Sequence, residues 1–510
     1  MLDNIGEAIN LIMNWQNILV IFFGAILGTI IGAIPGLTGV MTIALILPIT
    51  MFIPKWLGIS LIVAIYCSSN YGGSISAILL RTPGTPAAAM TVEDGYALNK
   101  KGQAKKALQT ALYASAAAGI LSTILLLTLS PLLAIVALKI GPPEFTLLIL
   151  FAMLIVGSVA KKSIVKGLIS TVFGILIGVI GLDPINTGPR FSFGIANMMG
   201  GLNFMPLLIG LFAISECFFQ IESYIKNNTS KTGNSSIALK GIYQSEEGLS
   251  LRDLKSLIGV WFRSSLIGAF IGALPGIGSS VSPFVAYGYA KKSSKDPDKF
   301  GEGSLEGITA SESANNGVTG ANLIPLLTLG IPGDIVAAML MGALMIHGIR
   351  PGPLLLQNTP EVLYAFGIIF FLSNISFFII GSLLIKIATK LARLSTMIVM
   401  PFILPICLAS AYAFNRNIFD IKVMLIFGII GYVMRKLEFN TPAFLIAFIL
   451  GPILETSFRQ TLILSRGKLS IFINRPSSVI LLALILIVSI ISIINMVRNV
   501  RQRKKEMNIV

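Results

Sequence analysis

Two Pro-Gly pairs, Pro35-Gly36 and Pro275-Gly276, interrupt apolar runs, and each is followed by a second interruption: Thr-Pro-Gly-Thr at 82–85 and Ile-Pro-Gly-Asp at 331–334. Polar clusters precede the second pair, Ser-Ser-Asn-Tyr-Gly-Gly-Ser at 68–74 and Ser-Glu-Ser-Ala-Asn-Asn-Gly at 311–317. Such residues suit one kind of chemistry, the binding of a polar solute. A broken helix frees backbone N–H groups at its new N-terminus, where the dipole is worth roughly +0.5 of an elementary charge and favours anions. Glycine lets a ligand approach the main chain, proline is tolerated at the first helical position, and Ser, Thr and Asn add donors. Other chemistries are poorly served. A single histidine, His347, excludes a His-pair metal site, and Cys67, Cys217 and Cys407 have no metal-like spacing.

The elements that must carry these residues are membrane spans. Over 510 residues, 55% are hydrophobic and 12% charged, with a mean hydropathy of +0.86, far from the usage of soluble domains. Apolar runs at 16–34, 57–80, 107–129, 201–220, 361–385 and 478–497 are each long enough to cross a hydrocarbon layer about 30 Å thick. Shorter or interrupted runs raise the expectation to about 12 to 15 spans, some broken or re-entrant, in an all-α polytopic membrane protein. Unpaired backbone in hydrocarbon costs several kcal/mol per group, so breaks survive there only if buried in protein or lining a watery cavity.

The net charge of +16 lies in short loops rather than on one face, which reads as positive-inside bias and not as a nucleic-acid surface. The N-terminal ten residues carry Asp3 and Glu7 without Lys or Arg, and the tail is strongly basic. This places the N-terminus outside and the C-terminus in the cytoplasm, with the loops at 98–106, 161–166, 221–255 and 291–299 cytoplasmic. The N-terminus lacks a basic n-region and cleavage site, so the first span is expected to be retained. The basic stretch 459–475 fits this scheme poorly.

Pro35 and Pro275 differ by 240 positions, and five of nine residues in 31–39 match 271–279, with Ile/Leu exchanges at two more. This is an internal repeat of about half the chain. On the orientation above, 16–34 runs inward and 256–274 runs outward, so the repeats are expected to be inverted, as in many secondary transporters. The resulting division is 1–220 as first repeat, 221–255 as cytoplasmic connector, 256–455 as second repeat, and 456–510 as a last span with a basic tail.

Several charged residues have two readings each. Arg81 can pair with a substrate carboxylate, or it snorkels at an interface or is neutralised by an acid, Asp334 included. Asp334 can ligate Na⁺ or carry a proton, or it caps the helix that follows. Glu312 is read in the same two ways. Glu144 and Glu216 sit near span ends and read as interfacial. His347 reads as structural or pH-sensing. Glu93 and Asp94 are expected to cap or to pair with the lysines at 100–106, and 224–250 reads as a flexible connector.

The motifs "GAIPGLTG", "YGGSISAILLRTPGTPAAAMTVEDGYAL", "GALPGIGS" and "NLIPLLTLGIPGDIVAAMLMGALMIHGIRPGPLL" resemble the large membrane subunit of the tripartite tricarboxylate transporter family, from about residue 16 to the 450s. The resemblance implies a small membrane subunit and an extracytoplasmic solute-binding protein as partners. It also implies a citrate-like carboxylate substrate and uptake driven by a cation gradient, with Na⁺ a possible coupling ion and no other cofactor. In the first half it points to Pro35, Gly36 and Thr38, to Asn70, Gly72, Gly73, Ser74 and Ser76, and to Thr82, Pro83, Gly84 and Thr85. In the second it points to Pro275, Gly276, Gly278 and Ser279, to Asn315, Asn316, Gly317 and Thr319, and to Gly330, Pro332 and Gly333. Of these, Ser76 and Thr319 join Glu312 and Asp334 as ion-coupling candidates, and Arg81 joins the substrate-binding set. Arg81 and Asp334 depart from the family's usual Asn and Ser, which bears on substrate identity.

The function expected is thus a secondary transporter subunit in a prokaryotic inner membrane, working by alternating access, with an elevator-like motion and a homodimer as further expectations. Two alternatives stay open. "GIPGD" faintly resembles an intramembrane aspartyl protease motif, but the spacing differs and no second aspartate lies in a matching span. An anion channel would give uncoupled flux.

Overall fold

The structure, a computed structural model, describes residues 2–158, 163–229, 248–275, 278–388, 390 and 396–507. It is all-α apart from one two-residue hairpin, β1 (Gly181–Leu182) with β2 (Pro189–Arg190). Among the described residues, eight helices are long and apolar enough to cross a membrane and five shorter apolar helices accompany them, in keeping with the sequence expectation.

The first half contains α1 (Leu2–Ile12), α2 (Trp15–Ala33), α3 (Gly39–Ile46), α4 (Lys55–Leu80), α5 (Thr91–Lys100), α6 (Ala104–Ala137), α7 (Pro142–Ser158), α8 (Ile164–Gly178) and α9 (Phe204–Lys226). The second contains α10 (Leu251–Gly272), α11 (Gly278–Ser293), α12 (Leu305–Ala321), α13 (Leu323–Leu329), α14 (Ile335–Ile346), α15 (Glu361–Leu384), α16 (Thr396–Asn415), α17 (Ile418–Lys436), α18 (Thr441–Leu464) and α19 (Pro476–Met507). Of the expected connector, residues 230–247 lie outside those described.

Caps fix where helices start. Asn14 accepts from the Asn17 N–H at 2.8 Å ahead of α2, Ser250 and Asp253 form a reciprocal capping box on α10, and Ser304 caps α12. Small residues fix how helices pack. Gly24, Gly28 and Gly32 put one face of α2 directly on α4; a Cβ at Gly32 would stand 2.7 Å from the Ser69 carbonyl oxygen. Gly268 and Gly272 do the same for α10 on α12, where a Cβ at Gly268 would stand 2.3 Å from the Ala314 oxygen. Such small-xxx-small faces are how membrane helices associate without a hydrophobic driving force.

Packing gathers the helices into two groups that ignore sequence order. One core is built from α2, α4, α6 and α12–α15. The other is built from α7, α17 and α18, with α8 and α19 against them. A third cluster joins Ile34, Leu37 and Met41, around the first Pro-Gly break, to Ile209, Ala213 and Ile214 of α9 and to Met424 of α17. The three cysteines are free and buried.

Candidate functional site

The four breaks have distinct local causes. After Gly36, which takes φ 87°, Thr38 turns extended and its Oγ1 accepts from the Met41 N–H at 3.2 Å, starting α3. Gly330, at φ 69°, ends α13; Pro332 and Gly333 follow, and Asp334 caps α14 by accepting from the Ala337 N–H at 2.9 Å. The α10–α11 break contains Pro275 and ends at Gly278, while Gly276 lies outside the described residues. Arg81 ends α4 in the left-handed conformation, φ 60°, and Thr85 then caps a single 3₁₀ turn, Pro86–Ala89. Thr85 is extended and Pro86 follows it, so the chain makes one tight turn before α5 begins at Thr91.

These breaks meet on one cavity of about 590 Å³, lined by Thr38, Thr85, Ser279 and Asp334 and, between them, by Tyr66, Ser69 and Asn70. The opposite wall is α9, where the helix widens to π over Ile209–Ile214, with the ends of α17 and α18. Single π segments of this kind concentrate at functional positions. That wall supplies Glu216 and Arg435, which pair with each other, and the Arg435 guanidinium lies 4.0 Å over the Phe219 ring. With Glu438, the lining holds three carboxylates and one guanidinium.

Asp334 is the best-connected acid on the first wall. Besides its cap bond, it stands beside Ser279 and Asn322, and Gly278 approaches so closely that a Cβ there would lie 2.7 Å from the Asp334 Cβ. Asn322 donates to the Tyr66 hydroxyl at 3.3 Å. Asn70 is buried with its Nδ2 unpaired, and so are both amide atoms of Asn315 and the Oδ1 of Asn316. Buried amides without partners are rare.

The glycines of the motifs have a packing role that spacing alone did not reveal. A Cβ on Gly84 would stand 2.4 Å from the Gly32 oxygen and 2.8 Å from the Gly73 Cα; one on Gly333 would stand 2.9 Å from the Gly272 oxygen. Gly72 presses on Gly32 and the Thr29 carbonyl, and Gly317 on the Ser265 carbonyl. Ser76 and Thr319 bond back to the carbonyls of Gly73 and Asn316 within their own helices. Arg81, Thr82 and Pro83 are exposed outside the cavity lining, with Arg81 over the Tyr96 ring at 5.9 Å. No Arg81–Asp334 ion pair forms among the described residues. Ser74 and Glu312 meet one turn beneath the cavity wall, Ser74 Oγ donating to Glu312 Oε1 at 2.6 Å.

Asp94 is also corrected. Rather than serving the lysines, it is fully buried and accepts from the N–H groups of Gly301, Gly303 and Ser304 at 2.7–2.9 Å and from the Tyr287 hydroxyl at 2.9 Å. Its neighbours in sequence hide this, because the partners are some 200 residues away. Arg435 and Glu216 were missed as a pair for a similar reason: they sit on ordinary helix faces with no break beside them.

A second cavity, about 680 Å³, lies under the hairpin and is lined largely by glycine and apolar groups; its Arg190 and Glu455 are paired bidentately at 2.5 and 3.0 Å. Asp183 ties the hairpin to Arg459, and its carboxyl is held down at about 2, first by the N–H groups of Asn186 and Ile185 and then by that guanidinium. The Arg190–Glu455 pair is closed on itself, and the break motifs do not reach this cavity.

Taken together, fold and site define a multi-pass helical membrane protein with a polar cavity at broken helices. The tripartite tricarboxylate transporter TctA family model matches residues 18–446, and the chain belongs to that family. That family is the large subunit of a tripartite transport system, which implies a small membrane subunit and a binding protein as partners. The chain is 34% identical over 483 residues to an uncharacterized 52.8 kDa protein in the TAR-I ttuC' 3' region of Agrobacterium vitis, covering 95% of this chain and 94% of the relative. It is 35% identical over 217 residues to an uncharacterized protein in the TAR-II ttuC' 3' region of the same organism, covering 42% of this chain and 90% of the relative. No solved structure matches the chain.

Proposed function

We propose that the cavity between the two helix groups binds a di- or tricarboxylate of the citrate type, received from the extracytoplasmic binding protein and carried inward on a cation gradient. One observation carries this reading: Thr38, Ser279 and Asp334 at three helix starts, the Thr85 turn and Arg435 all line one cavity of about 590 Å³. That volume lies within the usual range for small-molecule sites, about 300–1,000 Å³. Helix N-termini favour the anion's charge, and a guanidinium suits a carboxylate bidentately.

The charge count supports cation coupling. The one guanidinium among the described lining residues is held by Glu216, so a multiply charged anion adds negative charge beside Asp334. Co-bound Na⁺ or protons on these acids would relieve it, and Asp334 is the nearest acid to the breaks. The matched GxxxG packing of α2 on α4 and α10 on α12, and the matched approaches of Gly84 to Gly32 and Gly333 to Gly272, support two repeats, 1–220 and 256–455, related by inversion. In the orientation proposed, the hairpin faces outward. The basic 459–475 stretch that strained the charge rule is there partly neutralised, Arg459 by Asp183 and Glu455 and Arg475 by Glu144.

The test is counterflow. Vesicles holding the full chain with its partner subunits and loaded with unlabelled citrate should accumulate labelled citrate in a saturable way, and Asp334→Asn, which keeps the cap, should abolish it. Flux that does not respond to citrate on the far side would mean a channel, and breakdown of the label would mean an enzyme.

A further inference from the structure

Among the described residues, Glu312 is a fully buried acid with no cation beside it. It sits at 0% exposure on α12 and is caged by hydroxyls from three other helices. Ser74 of α4 donates to Oε1 at 2.6 Å, Thr91 of α5 donates to the same oxygen, and Ser115 of α6 donates to Oε2 at 2.9 Å. Thr91 in turn meets the Ser311 hydroxyl at 3.0 Å. Both carboxylate oxygens are thus engaged by hydroxyls.

The titratable groups around it give no compensating charge. Tyr71 from α4 is buried with its hydroxyl unpaired, and Asp94 from α5 is an acid bonded to Tyr287 from α11. Lys106 of α6 pairs with Asp253 of α10, and Arg263 of α10 lies over the Tyr289 ring. Glu306 on α12 itself adds only negative charge. An ionised carboxylate left alone in such a place is strongly disfavoured, and a carboxylic acid is not. With the Ser74 hydroxyl turned to the Asn70 carbonyl, 3.4 Å away, its lone pair can accept from a proton carried on Oε1.

An exit lies close by. Ser74 Oγ is 3.4 Å from the Asn70 carbonyl, and Asn70 lines the cavity with its Nδ2 unpaired. One helical turn, about 5.4 Å, thus separates the cage from the open volume.

We propose that Glu312 is a proton-carrying carboxyl that exchanges with the cavity through Ser74, outside the surface that binds the carboxylate. On release, Glu312 Oε1–H donates to the Ser74 Oγ lone pair and Ser74 passes its own hydroxyl proton to a water admitted from the cavity beside Asn70, leaving Glu312 ionised. On uptake the sequence reverses. This rests on the transport reading for its purpose but not for its first measurement.

The test uses Glu312→Gln, a neutral isostere, in the full chain. Infrared spectra of the wild type should show a carboxylic-acid carbonyl stretch that shifts in D₂O and that the variant lacks; Ser74→Ala should keep the band but slow its exchange with D₂O. In vesicles with the partner subunits, the variant should retain citrate counterflow and lose uptake driven by an inward proton gradient to the level of empty vesicles. The proposal fails if the two spectra agree in that region, if Ser74→Ala exchanges as fast as wild type, or if Glu312→Gln still responds to the proton gradient. It also fails if only sodium-driven uptake is lost. Absence of citrate counterflow in the wild type would instead bring down the transport reading, while the spectra still decide on Glu312.

Discussion

Arg435 shows what a single residue contributes to the cavity. It lies against Phe219, is paired with Glu216, and is the one cation on the lining among the described residues. A substrate carboxylate would have to replace one carboxylate partner with another, an exchange that preserves the ion pairing of the guanidinium. Lysine cannot reproduce this, because a point charge neither stacks on the ring nor bonds in a fork. Arg435→Lys is therefore expected to raise KM for citrate uptake about tenfold or more, equivalent to about 1.4 kcal/mol or more of binding, with little change in expression. An unchanged KM would remove Arg435 from the site. This residue was not legible in the sequence: nothing about an arginine at the basic end of a span distinguishes it from its neighbours. Thr38, Thr85 and Asp334 were legible, because Pro-Gly inside an apolar run has a physical cost that calls for a reason.

At the level of elements, the breaks are held in place by backbone meeting backbone. Gly84 rests on the Gly32 carbonyl and Gly333 on the Gly272 carbonyl, so the loop after α4 is seated on the end of α2, and the loop after α13 on the end of α10. Sequence reading treats these glycines as access for a ligand. The packing says otherwise. Gly84→Ala is expected to lower the melting temperature and the yield of folded chain, since the carbonyl that its methyl would strike belongs to rigid helix end and cannot rotate away. A thermal melt in detergent checks this; wild-type stability would show that the seat is loose. The 3.6-residue periodicity that marks a span carries no information on which neighbour it touches, which is why the span list was legible and these contacts were not.

For the whole molecule, the informative feature is that sequence halves and packing groups do not coincide. Both halves send their breaks to one wall, and α9, α17 and α18 form the other. The repeat in the primary structure anticipates the first fact but not the second, because only the break motifs retain visible similarity. If the solute is gripped from both sides, citrate should slow amide exchange together at 38–41, 85–88 and 334–337 on one wall and at 211–216 and 438–442 on the other. The exposed α19 should not respond. Protection confined to one wall would mean that the solute sits on one group alone.

The burial of Cys67, Cys217 and Cys407 has a practical corollary. The chain offers no surface thiol of its own to a membrane-impermeant maleimide, so it comes close to a natural cysteine-free background. A thiol placed at Thr85 or Ser279 could then be reached, or shielded, from one side of a sealed vesicle at a time, reporting directly to which compartment the vestibule is open.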